Sequence, residues 1–188
     1  MKTKNKCLQL VSLTLALLVP TITAQANPNW VDIWRDDFNR PSAGADVANG
    51  WVEFDTSGDV SIAALPGGEM VLQIYGDGGP GWYDGPSAYI LVPTTGYQYV
   101  DIFWKVKGSP YTYPYFDALD IDVTTDGGTT WTRVAFGSLT TEWSERSSTP
   151  GVSVDNQSGF GIRLRTRLYT SDETNLSSRG ALFDYIGL

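Results

Sequence analysis

The chemistry open to this chain is set first by what it lacks. It contains no histidine, and its one cysteine, Cys7, sits in an apolar N-terminal run. Ser-His-Asp and Cys-His nucleophiles, histidine general bases and histidine-bound zinc are therefore excluded. Carboxylate, tyrosine and arginine chemistry remains, the kind that cleaves glycosidic bonds with a pair of acids. Glutamates stand only at positions 53, 69, 142, 145 and 173, and the one close pair, Glu142 and Glu145 in "TEWSE", has no aspartate beside it. The residue set favours ligand binding over catalysis.

Two aromatic segments supply the means to bind. "GDGGPGWYDGP" (76–86) sets Trp82 and Tyr83 beside Asp77 and Asp84, and "GSPYTYPYFD" (108–117) sets Tyr111, Tyr113 and Tyr115 beside Asp117. Rings of this kind stack on the C–H faces of sugars while acids bond the hydroxyls. Trp82, Tyr83, Asp84, Tyr111 and Tyr113 are the candidate ligand contacts, read as loop residues. In the competing reading they cap the open ends of a core, and Pro110 and Pro114 stiffen a structural crossover. Trp30, Trp34, Trp51, Trp104 and Trp131 are expected in the core.

The elements that must position these residues are strands. Twenty glycines, ten prolines and many Thr, Val, Tyr and Trp residues accompany no sustained helical period. Alternation and β-branched or aromatic enrichment predict strands at 30–38, 50–56, 59–65, 69–76, 87–93, 97–108, 116–125, 131–138, 160–170 and 180–188. About ten short strands at this spacing predict an all-β fold, an antiparallel jelly-roll-like β-sandwich. In "YQYVDIFWKVKG", Val100, Ile102, Trp104 and Val106 share one face. In "FGIRLRTRLYT", Phe160, Ile162, Leu164, Thr166 and Leu168 alternate with Gly161, Arg163, Arg165 and Arg167. The arginine ladder is expected to pair with acids of a neighbouring strand, Asp120 and Asp122 on an exposed face, with a patch for acidic sugars as the alternative.

The stretch "TTDGGTTW" (124–131) lies between two of these strands. Gly127 and Gly128 tolerate positive φ, and Asp126 is expected to accept backbone N–H groups two or three residues on. The octapeptide resembles the Asp-box of sialidases and other secreted β-proteins, here as a turn that registers a hairpin rather than an active site. With "WRDDFNRP...NGW" before it and "ALFDYIGL" after it, it resembles the jelly-roll or concanavalin A-like domains of secreted bacterial proteins, including carbohydrate-binding modules and MAM-like domains. That resemblance spans Trp30 to Leu188. It implies a structural calcium where first and last strands meet, with Asp36 or Asp37 and Asp184 as ligands. The alternative for these carboxylates is a bond to backbone amides or to Arg40 or Arg179.

The N-terminus reads as a Sec signal peptide: "MKTKNK", an apolar run too short for a span, then Ala24 and Ala26 in A-x-A spacing. Cleavage after Ala26 leaves one domain, 27–188, destined for the periplasm or the exterior. Loss of the three leader lysines takes the formal charge from −8 to −11, which disfavours nucleic acid and anionic lipid. The expected function is a secreted, noncatalytic carbohydrate-binding or adhesion-like module with a polysaccharide or glycan partner. A small carboxylate-dependent glycan-cleaving enzyme and a structural surface protein without a small ligand stand as alternatives.

Overall fold

The computed structural model describes residues 30–54, 59–76, 81–112, 117–150, 152–170 and 179–188, with backbone alone at 81–85, 152, 169 and 170. The leader and its cleavage site lie outside the described residues. Within Asp32–Leu188, eleven strands form: β1 (Arg35–Asp36), β2 (Val52–Phe54), β3 (Val60–Ala64), β4 (Met70–Tyr75), β5 (Gly81–Leu91), β6 (Ile102–Gly108), β7 (Ala118–Thr124), β8 (Thr132–Ser138), β9 (Ser144–Ser148), β10 (Gly161–Thr170) and β11 (Gly180–Gly187). They make two antiparallel sheets. One runs β3-β4-β11-β6-β9, with β1 also paired to β11, and the other runs β2-β5-β10-β7-β8. The all-β sandwich expected from the sequence is what forms.

Period-two alternation explains the layers. In β6 the predicted face of Ile102, Trp104 and Val106 is buried and Phe103, Lys105 and Lys107 point outward. Ile162 and Leu164 of β10 and Leu72 and Ile74 of β4 join them, so one core lies between the inner faces. At about 25 cal/mol per Å² of apolar area removed from water, this burial is the main drive to fold.

Three strands depart from the sequence reading: of the predicted 30–38 only Arg35–Asp36 is strand, and β9 and β5 differ as well. β9 was not predicted, because "SERSS" has no apolar residue to alternate; it is an edge strand, where charges are favoured. β5 begins at Gly81 rather than at residue 87, so "GWYDGP" is strand and not loop. Its ladder to β10 survives Pro86 through a bulge: Ser87 faces Arg165 and Asp84 faces Arg167, which leaves Gly85 and Pro86 together opposite Thr166. A bulge is where a sheet accommodates a residue that cannot donate.

A buried ion pair ties the sheets together. Asp117, just before β7, and Arg179, just before β11, are both fully buried, and Arg179 engages both carboxylate oxygens, through Nε at 3.1 Å and through Nη2. Gly180 follows because nothing larger fits: a Cβ there would stand 2.0 Å from the Ile74 carbonyl oxygen. Removing one partner of a buried pair strands the other charge, which typically costs about 3–5 kcal/mol. Arg179→Met is therefore expected to lower the urea-unfolding free energy by about that much, with part recovered in the Arg179→Met, Asp117→Asn double variant. A loss below about 1 kcal/mol would contradict the assignment.

Candidate functional site

The outer face of the five-stranded sheet gathers most of the chemistry. Directly opposed residues share a face, and the register aligns Val52, Tyr89, Arg163, Asp122 and Arg133 in one row across the strands. The next row is Phe54, Ser87, Arg165, Asp120 and Phe136. Asp120 meets Arg167 Nε at 2.9 Å, Arg165 Nη2 at 3.0 Å and Arg133 Nη1 at 3.5 Å. Asp122 accepts from Arg163 Nη2 at 2.7 Å and Nε at 3.0 Å. The arginine ladder thus pairs with the acids expected for it. The expectation of exposed acids is corrected: Asp120 is 0 % exposed and Asp122 2 %, because the arginine stems and guanidiniums cover them.

Beside the ladder runs a row of rings. Phe54 stacks on Tyr89 at 5.6 Å, Tyr89 meets Trp131 edge-on at 5.4 Å, and the Arg163 guanidinium lies 4.7 Å from the Trp131 ring centre. Trp131 is consequently half-buried on the outer face and not core, and Trp30 is 57 % exposed; Trp51 and Trp104 are core and Trp34 packs against it. None of these rings was singled out as a ligand contact from the sequence. A signal existed for Tyr89, which alternates out of phase with buried Ala88 and Ile90.

Three of the candidate contacts named from sequence belong to a strand of this same sheet. Trp82, Tyr83 and Asp84 lie in β5, level with Tyr169, Leu168 and Arg167; their side chains, and all of Tyr113, lie outside the described residues. Tyr111 is exposed in the turn after β6. Asp36 accepts both outer nitrogens of Arg40 at 2.8 Å, the Phe38 N–H at 2.8 Å and the Trp51 indole N–H at 3.0 Å. Burial alone would raise its carboxyl, but the Arg40, Phe38 and Trp51 donors hold it below the usual range. Asp184 accepts from Lys105 Nζ at 2.6 Å, and Asp37 accepts from the Asn39 N–H at 3.2 Å. Asp36 and Asp184 therefore have protein cations as partners, and no cluster of three or more potential metal ligands occurs among the described residues.

No protein-family model matches the chain, and no curated protein matches it in sequence. Solved structures do resemble it. The CBM22-1 xylan-binding domain from Paenibacillus barcinonensis Xyn10C superposes with a TM-score of 0.56 at 17% identity, over 84% of this chain and 92% of that one. The K2 cleaved adhesin domain of Lys-gingipain gives 0.51 at 13% identity, over 82% and 98%. The fold is a carbohydrate-binding-module-like β-sandwich.

In this module-like sandwich the Asp126 hairpin closes one end of the outer face. Gly127 and Gly128 take φ of 71° and 92°, as the turn demands. Asp126 accepts from the Thr130 N–H at 2.9 Å, the Thr130 hydroxyl at 2.7 Å and the Thr124 hydroxyl at 2.7 Å, with the Thr129 N–H three residues on contributing as expected and the Thr130 N–H extending the reach to four. Gly127 N–H donates to the Gly159 carbonyl at 2.9 Å, which fastens the turn to the approach to β10. These donors, the Thr130 N–H first, bring the Asp126 carboxyl down to about 2. Because the folded value lies below the unfolded one of about 3.9, the contribution is complete above that pH and fades as pH falls through about 2. Carbon-detected NMR titration is expected to place the Asp126 midpoint near 2; a midpoint near 4 would contradict the turn geometry.

Proposed function

We propose that this chain is a noncatalytic carbohydrate-binding module whose sugar platform is the outer face of the five-stranded sheet. The observation that carries the reading is the ring row Phe54, Tyr89 and Trp131 set alongside guanidinium donors on one rigid sheet. Sugar C–H faces stack on such rings, and N–H forks bond hydroxyl or anionic oxygens. The likeness to a xylan-binding domain supports this reading. The likeness to an adhesin domain supports surface attachment as its setting. Export through the N-terminal leader completes the proposal, and mass spectrometry of the exported protein is expected to begin at Asn27. Among the described residues no helix is long and apolar enough to cross a membrane.

Titration with a panel of soluble polysaccharides, followed by tryptophan fluorescence, tests the platform. Trp131→Ala is expected to weaken binding by about tenfold or more, the worth of one lost ring contact. Trp143→Ala should leave binding unchanged, because Trp143 sits beside Lys105 and Lys107 of the other sheet, at 5.4 and 4.6 Å. The platform uses none of Asp36, Asp37 and Asp184, so a calcium chelator should leave affinity intact. Unaltered affinity in Trp131→Ala, or no response to any glycan, would reject the reading.

A further inference from the structure

The ion pairs on the outer face of the five-stranded sheet hide its acids and not its cations. Asp120 and Asp122 are buried, whereas the side chains of Arg133 and Arg163 are 47 % and 22 % exposed. The row Val52, Tyr89, Arg163, Asp122 and Arg133 therefore carries two guanidiniums on one covered carboxylate, in a chain of formal charge −8. A guanidinium donates and never accepts, while a sugar hydroxyl does both. The charged groups that these rows turn outward are donors alone, which suits a ligand rich in anionic acceptors.

Arg133 is only loosely engaged by the protein. Asp120 already holds Arg167 at 2.9 Å and Arg165 at 3.0 Å, and Arg133 reaches it through Nη1 alone, at 3.5 Å. Its Nε and Nη2, the edge that meets an oxyanion with two parallel bonds, have no acceptor among the described residues. Arg163 spends Nε and Nη2 on Asp122 and keeps Nη1. Each guanidinium also lies by a ring of the same face: Arg133 is 5.3 Å from the centre of Phe136, itself 56 % exposed, and Arg163 is 4.7 Å from that of Trp131. The two arginines stand on β8 and β10 with β7 between them, two strand spacings or about 10 Å apart. One oxyanion does not bridge that gap, so the two cations address separate units of a chain.

We propose that the glycan taken by this face is acidic, with one oxyanion, carboxylate or sulfate ester, on the open edge of Arg133 beside Phe136 and another on Arg163 beside Trp131. The inference rests on the sugar-binding reading of the five-stranded sheet and adds the class of sugar.

Calorimetric titration of the purified protein with oligogalacturonate, sulfated galactan oligosaccharides and neutral galacto- and xylo-oligosaccharides of equal length tests the assignment. An acidic oligomer is expected to bind about tenfold or more tighter than the neutral ones, the worth of one charge-assisted contact. Whichever acidic oligomer shows the larger margin, uronate or sulfated, identifies the oxyanion. Arg133→Gln is expected to remove most of that margin, and Arg133→Lys, which keeps the charge without the fork, to restore only part of it. Because Arg165 and Arg167 still cover Asp120, Arg133→Gln should fold, which circular dichroism checks. Lys107→Gln removes a cation from the other sheet and should leave the margin intact. Equal binding of acidic and neutral oligomers overturns the inference and leaves the platform standing, as does a margin that survives Arg133→Gln or falls equally in Lys107→Gln. No binding to any oligomer rejects the platform as well.

Discussion

Asp120 carries a carboxylate on the outer face of a sheet yet has no solvent exposure, and the five-stranded sheet is organised around that constraint. An ion taken out of water costs several kcal/mol unless cations replace its hydration. β10 supplies two of them, Arg165 and Arg167, because a two-residue period puts alternate positions on one face; β8 supplies Arg133. Asp122 repeats the arrangement with Arg163. A slip of β10 by one residue would turn the arginines into the core and Ile162 and Leu164 outward, so the ladder and the core fix the same register.

The ring row follows from that register. Arg163 is held by Asp122 on one side and lies against Trp131 on the other, so the clamp that neutralises the acid also orients the indole. Tyr89 enters the same row opposite Arg163. The proposed recognition surface is thus built on strands, which hold side chains more rigidly than loops do. Pre-organisation of this kind reduces the ordering cost of binding. The Asp126 hairpin closes one end of the face and precedes Trp131 directly.

Much of the fold was legible in the chain, and the reasons are local. Alternation in "YQYVDIFWKVKG" and "FGIRLRTRLYT" separated buried from outward positions correctly, because a half-buried strand writes its two faces into its sequence. The "TTDGGTTW" turn was legible because only glycine takes its φ angles cheaply. β9 was invisible since a polar edge strand has no apolar period, and the start of β5 was hidden by Pro86, whose bulge depends on a partner strand far along the chain. The surface rings were hidden for a related reason. Trp131 and Phe136 are apolar by type, and only the register across β2, β5, β10, β7 and β8 puts them on the outside with arginines beside them. Asp184 shows the same limit: the sequence offered Arg40 or Arg179 as an arginine partner, and Arg40 does pair with Asp36, but Lys105 of β6 meets Asp184 only once β6 pairs with β11.

The most direct measurement is NMR shift mapping of side-chain indole and arginine Nε–H groups as a bound oligosaccharide is added. If the five-stranded sheet is the platform, the Trp131 indole and the Nε–H groups of Arg163 and Arg133 shift together, and the Trp143 indole on the opposite sheet stays still. Shifts confined to Trp143 and its neighbours, with Trp131 and Arg163 unmoved, would contradict it.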